Sequence, residues 1–151
     1  MEVSRLADGL WWWTGHLEGR GDASSLYVES RQAVSLLDPV LPPEERRRFL
    51  RALDRDVERH GGPVHVFVST REKRELASEL IERYDAELRE GSTPDVEMVD
   101  GGTMFWVPAH SALFAGDALV ATPDGHVIGE LPGALPDPRW IVCSSGRPVE
   151  R

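Results

Sequence analysis

Residues 62–76 combine an almost unbroken apolar run with a charged segment that follows it at once. The run, residues 64–68, is rich in β-branched side chains, which predicts a strand that is covered on both faces. Ser69 then offers its hydroxyl as a helix N-cap, and Glu72 three residues later completes a capping box. The pattern predicts a buried strand that leads into a helix, and such a junction is a favoured place for a ligand or a metal in α/β proteins.

Alternating apolar and polar positions predict two hairpins near the N-terminus. Their strands are residues 3–6, 10–13, 25–29 and 33–38. Because side chains alternate along a strand, Trp12 is expected on one face, and Trp11 and Trp13 on the other. Residues 14–24 are polar and rich in glycine, and we predict a loop there.

Helical spacing is confined to two segments in the first half of the chain. The first begins at Pro42-Pro43, where proline and the acidic residues after it suit a helix start. It ends at Gly61-Gly62, as glycine after a last turn indicates. The second is the helix after Ser69.

The second half of the chain has strand patterns and no helical period. The predicted strands are residues 85–88, at a sheet edge, and residues 96–99, 103–107, 112–115 and 141–143. This order predicts one α/β domain over residues 1–151, with layered sheets and helices mainly in the N-terminal half.

Composition narrows the classes of partner and compartment. The net charge of −9 is expected to disfavour nucleic acid and anionic membranes, because both repel an acidic surface. Cys143 is the only cysteine, so neither an internal disulfide nor a cysteine-based metal cluster can form. The first residues lack the apolar core of a signal peptide, and we therefore expect a cytoplasmic protein.

Several segments, taken in order, resemble proteins of the metallo-β-lactamase fold. They are Leu6-Ala7-Asp8-Gly9-Leu10-Trp11, Val34-Ser35-Leu36-Leu37-Asp38-Pro39, the strand and helix around Ser69, Ala112-Leu113-Phe114-Ala115-Gly116-Asp117 and, more loosely, residues 141–149. The resemblance implies an αβ/βα sandwich, truncated here by shortened connections. It also implies that a binuclear metal site would stand at the junction after residue 68.

The metal ligands of that family are almost all replaced in this chain. Where the family has His-x-His-x-Asp-His, residues 70–75 are Thr-Arg-Glu-Lys-Arg-Glu, and Ser145 takes the place of the closing histidine. Asp117 is the one ligand that the resemblance retains. Zinc requires three or four histidine, cysteine or carboxylate ligands, so the comparison predicts no metal, no zinc cofactor and no metallo-hydrolase activity.

Two kinds of role remain open for the residues around this junction. A rebuilt metal site would combine Asp117 with Glu72 and the loop histidines His16 and His126, whereas isolated loop histidines are more often solvated. Asp38 and Asp117 both end strands, where an aspartate commonly accepts backbone hydrogen bonds in the following turn.

Cys143 has no histidine at a recognisable offset, which favours a small buried hydrophobe over a nucleophile.

Five tryptophans are many for this length, and they suggest a partner surface. Because no helix is predicted to cover the second sheet, its outer face on the Trp106 side is expected to dock a protein partner or a second copy. The sequence therefore favours a non-catalytic, metal-free interaction or regulatory module. The alternatives are a metal-dependent hydrolase with a rebuilt site and a metal-free protein that binds a small molecule.

Overall fold

Two β-sheets and two α-helices form the protein, and the computed structural model describes residues 1–151. The strands are β1 (Val3–Ala7), β2 (Leu10–Leu17), β3 (Gly21–Glu29), β4 (Val34–Leu37), β5 (Val64–Phe67), β6 (Glu87–Leu88), β7 (Glu97–Val99), β8 (Met104–Val107), β9 (Ala112–Gly116), β10 (Val120–Ala121), β11 (Val127–Ile128), β12 (Trp140–Cys143) and β13 (Val149–Glu150). The helices are α1 (Arg46–His60) and α2 (Arg71–Arg83). Short 3₁₀ turns occupy Pro43–Glu45, Asp100–Gly102 and Pro108–His110.

The first sheet follows the chain, with strand order β1-β2-β3-β4-β5-β6. Its pairs are antiparallel from β1 to β4 and parallel from β4 to β6. The second sheet has the order β13-β12-β9-β8-β7, and β12 runs parallel to β9. Strands β10 and β11 form a separate hairpin. The predicted α/β class and the placement of both helices in the first half are confirmed.

The core lies in three layers that follow from the alternation of side chains along the strands. Between the two sheets, Trp12, Phe67, Phe105 and Phe114 are fully buried. Between the first sheet and the helices lie Trp13, Leu36, Val66, Phe49, Leu53 and Leu80. Each such side chain contributes about 1.5–3 kcal/mol through burial.

The three consecutive tryptophans divide as the alternation predicts. Trp12 faces the core between the sheets, whereas Trp13 faces α1, where its ring centroid lies 5.1 Å from that of Phe49. The Trp13 indole also donates a buried hydrogen bond to the carbonyl of Val40. Trp11 shares the face of Trp13 but lies beyond the edge of the helix layer and is 39% exposed.

The loop predicted for residues 14–24 is wrong, because β2 and β3 extend their ladder as far as the pair Leu17 and Gly21. The glycines in this segment are compatible with paired strands. Gly15 is buried against Val40 and Pro42, and a Cβ there would lie 3.2 Å from the Val40 side chain. The polar segment is therefore the outer half of a long hairpin.

The expectation that the outer face of the second sheet is open is also wrong. Trp106 is only 4% exposed, and it packs in a third cluster with Leu119, Ala121 and Val149. Val127 and Leu135 pack against the same cluster. The chain after β9 thus covers this face with a hairpin and an irregular segment instead of a helix. Neither helix is both long and apolar enough to span a membrane.

Candidate functional site

The carboxyl ends of four strands meet at one edge of the sandwich. Strands β4 and β5 end before Asp38 and Ser69 in the first sheet, while β9 and β12 lead to Asp117 and Ser144 in the second. The N–H of Ser144 donates to the carbonyl of Gly116 at 2.8 Å. Gly116 has a φ of 56°, and a Cβ there would lie 3.3 Å from the Ser69 hydroxyl, so glycine allows the two sheets to approach here.

Asp38 is fully buried at this edge and is held by Ser69. The backbone N–H of Ser69 donates to Oδ1 of Asp38 at 2.7 Å, and its hydroxyl donates to Oδ2 at 2.5 Å. Burial raises the pKa of Asp38, and the hydrogen bonds from Ser69 and the charge of Lys73 oppose that rise. The interpretation of Asp38 as a strand-end aspartate that accepts a backbone hydrogen bond agrees with this geometry.

The predicted capping box of Ser69 and Glu72 is wrong. The N-cap of α2 is Thr70, whose hydroxyl accepts from the N–H of Lys73 at 3.1 Å. The Ser69 side chain is instead turned toward Asp38, to which its hydroxyl donates. Glu72 instead forms an ion pair with Arg20 at the tip of the β2–β3 hairpin. The helix starts one residue later than predicted, because a tertiary contact competes for the Ser69 side chain.

Lys73 is buried at the start of α2, with only 6% of its surface exposed. Its charge lowers the pKa of Asp38, while the charge of Asp117 raises it, so both groups lie within electrostatic reach of Asp38. Lys73 is also the only lysine among 17 basic residues. Its position in a charged helical turn gave no sign of burial, although its being the only lysine was a visible signal.

A cleft of about 860 Å³ adjoins the same junction. Its lining comes from the end of β5, the exposed face of α2, the segment after β6 and the turn between β7 and β8. Its charged side chains are Arg71, Arg74, Glu75, Arg89 and Glu90. The position of this cleft agrees with the expectation that a ligand would bind after the buried strand, while its chemistry is that of guanidinium and carboxylate groups.

The residues proposed for a rebuilt metal site lie apart from one another. His16 contacts Asp22 within its own hairpin, with Nδ1 3.0 Å from Oδ1, and His126 lies 3.7 Å from Asp124 in the separate β10–β11 hairpin. Asp117 is exposed at the rim of the junction. No three histidine, cysteine, aspartate or glutamate side chains stand close enough to hold a metal ion.

The donor set at the junction does not fit a zinc centre. Residues 70–75 supply hydroxyl, carboxylate and three cationic groups there, and no imidazole or thiolate. Zinc sites in proteins are built from three or four nitrogen, sulfur or carboxylate ligands. The buried Lys73, whose charge acts on Asp38, adds a positive charge that repels a divalent cation.

Cys143 ends β12 and is 1% exposed. Burial raises the pKa of its thiol to about 11, and the thiolate is the reactive form of cysteine. The neighbouring Ser144 is buried as well, and its hydroxyl has no hydrogen-bond partner. This geometry favours the predicted role of Cys143 as a small buried hydrophobe.

No protein-family model matches the sequence, and no curated protein matches it at a significant level. Solved structures do match the fold over its whole length. A metallo-β-lactamase from Erythrobacter litoralis aligns with 99% of this chain and 86% of its own, at 17% identity and a TM-score of 0.59. The structure of VMB-1 aligns with 99% of this chain and 90% of its own, at 12% identity and a TM-score of 0.57. A metallo-β-lactamase from Hirschia baltica aligns with 99% of this chain and 92% of its own, at 13% identity and a TM-score of 0.53.

At these identities the likeness concerns the fold and not the activity. It agrees with the order of strands and helices, with the two packed sheets and with the position of the junction between β5 and α2. This chain has the metallo-β-lactamase fold.

Proposed function

We propose that this protein is a non-catalytic, metal-free member of the metallo-β-lactamase fold that acts by binding, as an interaction or regulatory module. One observation carries the proposal. Lys73, the only lysine, is buried, and its charge acts on Asp38 at the edge where the resemblance puts a metal centre. A positive charge at this edge disfavours the binding of a metal cation.

Chemistry at this edge supports the same conclusion. The metallo-hydrolase mechanism needs an ion that activates water and polarises the substrate. Thr70, Glu72, Arg74 and Glu75 stand where the resemblance expects the ligands, and Arg74 carries the wrong charge for that role. Glu72 is already engaged by Arg20.

Metal content tests the proposal directly. Protein from cells grown with added zinc, iron and manganese is purified without chelators, and its metal content is measured by mass spectrometry. We expect each metal far below one per chain and no hydrolysis of a chromogenic β-lactam when zinc is added. Stoichiometric metal, or metal-dependent hydrolysis, would establish the alternative of a hydrolase with a rebuilt site.

A charge-matched pair of variants tests the role of Lys73. Lys73→Asp replaces the buried ammonium with a carboxylate beside Asp38, and we expect it to retain more zinc or manganese than the wild type. Arg47→Asp makes the same change of charge on the exposed surface of α1 and is the control. Equal retention by both variants would mean that the Lys73 charge does not exclude the metal.

The proposal includes a second copy of the chain, or another protein, as the partner, and the cytoplasm as the compartment. The Trp106 face is covered, so the surface lies elsewhere. Val3 in β1, the edge strand of the first sheet, and Trp11 in the neighbouring β2 are exposed, and two copies would present this same surface to each other. Light scattering over a range of concentrations tests this, with Trp11→Ser as the variant. A monomer at every concentration, with no partner recovered, would count against an interaction module.

A metal-free protein that binds a small molecule is the second candidate function. It is favoured by the cleft of about 860 Å³ beside α2, a volume typical of ligand sites. A thermal-shift screen with metabolites tests it, and a screen without any stabilising compound would argue against it.

A further inference from the structure

Three arginines from different parts of the chain line the cleft beside α2. Arg71 and Arg74 come from the first turns of the helix, and Arg89 directly follows β6. Glu75 and Glu90 also line it, so positive groups outnumber negative ones in a protein whose net charge is −9. A local excess of cations on an acidic protein is not explained by composition.

These guanidinium groups keep unused hydrogen-bond donors. Some arginines of the two helices are paired, as Arg46 is with Glu79 and Arg83 is with Asp54. Arg71 and Arg74 take part in none of the ion pairs of the protein. Arg89 donates from Nη1 to Glu87, yet its Nε is buried and has no partner. Arg71 and Arg74 are exposed, so their guanidinium N–H groups are free to donate to an acceptor in the cleft.

We propose that the cleft binds a small molecule that carries one carboxylate or phosphate group, held by Arg71, Arg74 and Arg89. The inference rests on the proposed function, in which the cleft works without a metal. Guanidinium groups bind both oxyanions through paired N–H donors.

The remaining lining defines the rest of the ligand. Glu75 and Glu90 repel further negative charge, which selects a single acid group over a polyanion. Val68, Leu88 and Met98 are the apolar part of the lining, and they suit a short hydrocarbon body. The ligand class is thus a small organic acid or a phosphate monoester.

Nuclear magnetic resonance of the ¹⁵N-labelled protein tests this with butyrate, methyl phosphate and uncharged butyramide at constant ionic strength. We expect saturable shifts of the Nε–H signals of Arg71, Arg74 and Arg89 with at least one of the two anions and none with butyramide. The relative affinities of butyrate and methyl phosphate distinguish the carboxylate from the phosphate. A response to butyramide equal to that of the anions, or no saturable shift with either anion, overturns the proposal.

Matched variants locate the site. Arg71→Gln and Arg74→Gln should each weaken anion binding about tenfold, the loss expected for one charge-assisted contact. Arg51→Gln removes an exposed arginine of α1 and should leave the affinity unchanged. Equal weakening in all three variants would show that the anion responds to overall charge and would overturn the site. Anion binding is measured without metal, so a negative result would reject the anion site and leave the metal-free assignment unaffected. The metal-free assignment would be rejected by stoichiometric metal in the purified protein.

Discussion

Ser69 binds both carboxylate oxygens of Asp38, at 2.7 Å through its N–H and at 2.5 Å through its hydroxyl. Asp38 follows β4 and Ser69 follows β5, so the pair joins the ends of two neighbouring parallel strands. Asp38 has a φ of 44°, a left-handed conformation that aspartate and asparagine adopt more readily than other residues with a Cβ. The same contact sets the start of α2 at Thr70.

Two substitutions of Asp38 separate the contribution of its hydrogen bonds to stability from that of its charge. Asp38→Ala leaves both Ser69 donors without an acceptor and should lower the free energy of unfolding by about 2–3 kcal/mol. Asp38→Asn accepts from the Ser69 N–H, donates to its hydroxyl and tolerates the positive φ, so its loss should stay below about 1 kcal/mol. Urea denaturation measures both variants. Equal losses would show that the hydrogen bonds to Ser69 do not stabilise the fold.

The pH dependence of the same pair has a definite sign. Because burial raises the pKa of Asp38, the folded state binds its proton more tightly than the unfolded state. The contribution of Asp38 to stability is therefore fully present below the ordinary aspartate pKa of the unfolded state. It declines as pH rises from that value to the raised pKa of the folded state. The free energy of unfolding of the wild type relative to Asp38→Asn should fall with pH across that interval, and a rise would contradict the assignment.

Thr70→Ala removes the N-cap of α2 and should destabilise the protein by about 1 kcal/mol, while Thr70→Ser retains the capping hydroxyl and should cost little. Ser69→Ala acts through a different contact. In double-mutant cycles monitored by urea denaturation, Ser69→Ala should couple to Asp38→Ala, whereas Thr70→Ala should be additive with it. If Ser69→Ala and Thr70→Ala coupled equally to Asp38→Ala, the separate roles of the Ser69 and Thr70 hydroxyls would be contradicted.

Lys73→Met keeps an apolar stem of similar length and removes the positive charge that acts on Asp38. We expect a loss of about 2 kcal/mol at neutral pH, because the buried carboxylate loses a nearby charge that stabilises its ionised form. The loss should shrink in acid, where Asp38 is protonated. Arg74→Met removes an exposed charge from the same helical turn and should change stability by less than about 0.5 kcal/mol. Thermal and urea denaturation across pH measure both, and a pH-independent loss for Lys73→Met would argue for a purely apolar packing role.

The Cys143 thiol should resist modification in the folded protein. Its pKa of about 11 and its burial leave almost no accessible thiolate. The rate of reaction with a chromogenic disulfide reagent should rise with urea in step with global unfolding. Rapid reaction in the native protein would show that the end of β12 opens locally.

Patterns that depend on neighbouring residues in the chain predicted most of the fold. The tryptophan run indicated its two faces because side chains alternate on any extended strand. The helix after Pro43 ended at Gly61 as expected, since glycine adopts the left-handed C-cap at a φ of 73°. The strand and helix around Ser69 were likewise recognisable, although their boundary was wrong by one residue.

The candidate site was less predictable, because its contacts join distant parts of the chain. Glu72 looked like a capping partner until the hairpin tip brought Arg20 to it, 52 positions away in the sequence. The loss of metal ligands was visible from residue types alone, whereas the arginine cleft needs α2, the end of β6 and the β7–β8 turn to come together. The cover over Trp106 was missed because irregular segments bury apolar side chains without a periodic pattern.

The sequence predicted the α/β class, both helices and the main strands, and it showed that the family's histidines are absent. Each of these depends on local periodicity or on residue identity, whereas the short strands β10, β11 and β13 lack such a pattern. Only the packing of β4 against β5 turns Ser69 toward Asp38 and leaves Thr70 to cap the helix, because Asp38 is distant from both residues in the sequence. Packing likewise buries Lys73 where its charge acts on Asp38. A lysine in a charged helical turn looks solvated until packing removes the water around it.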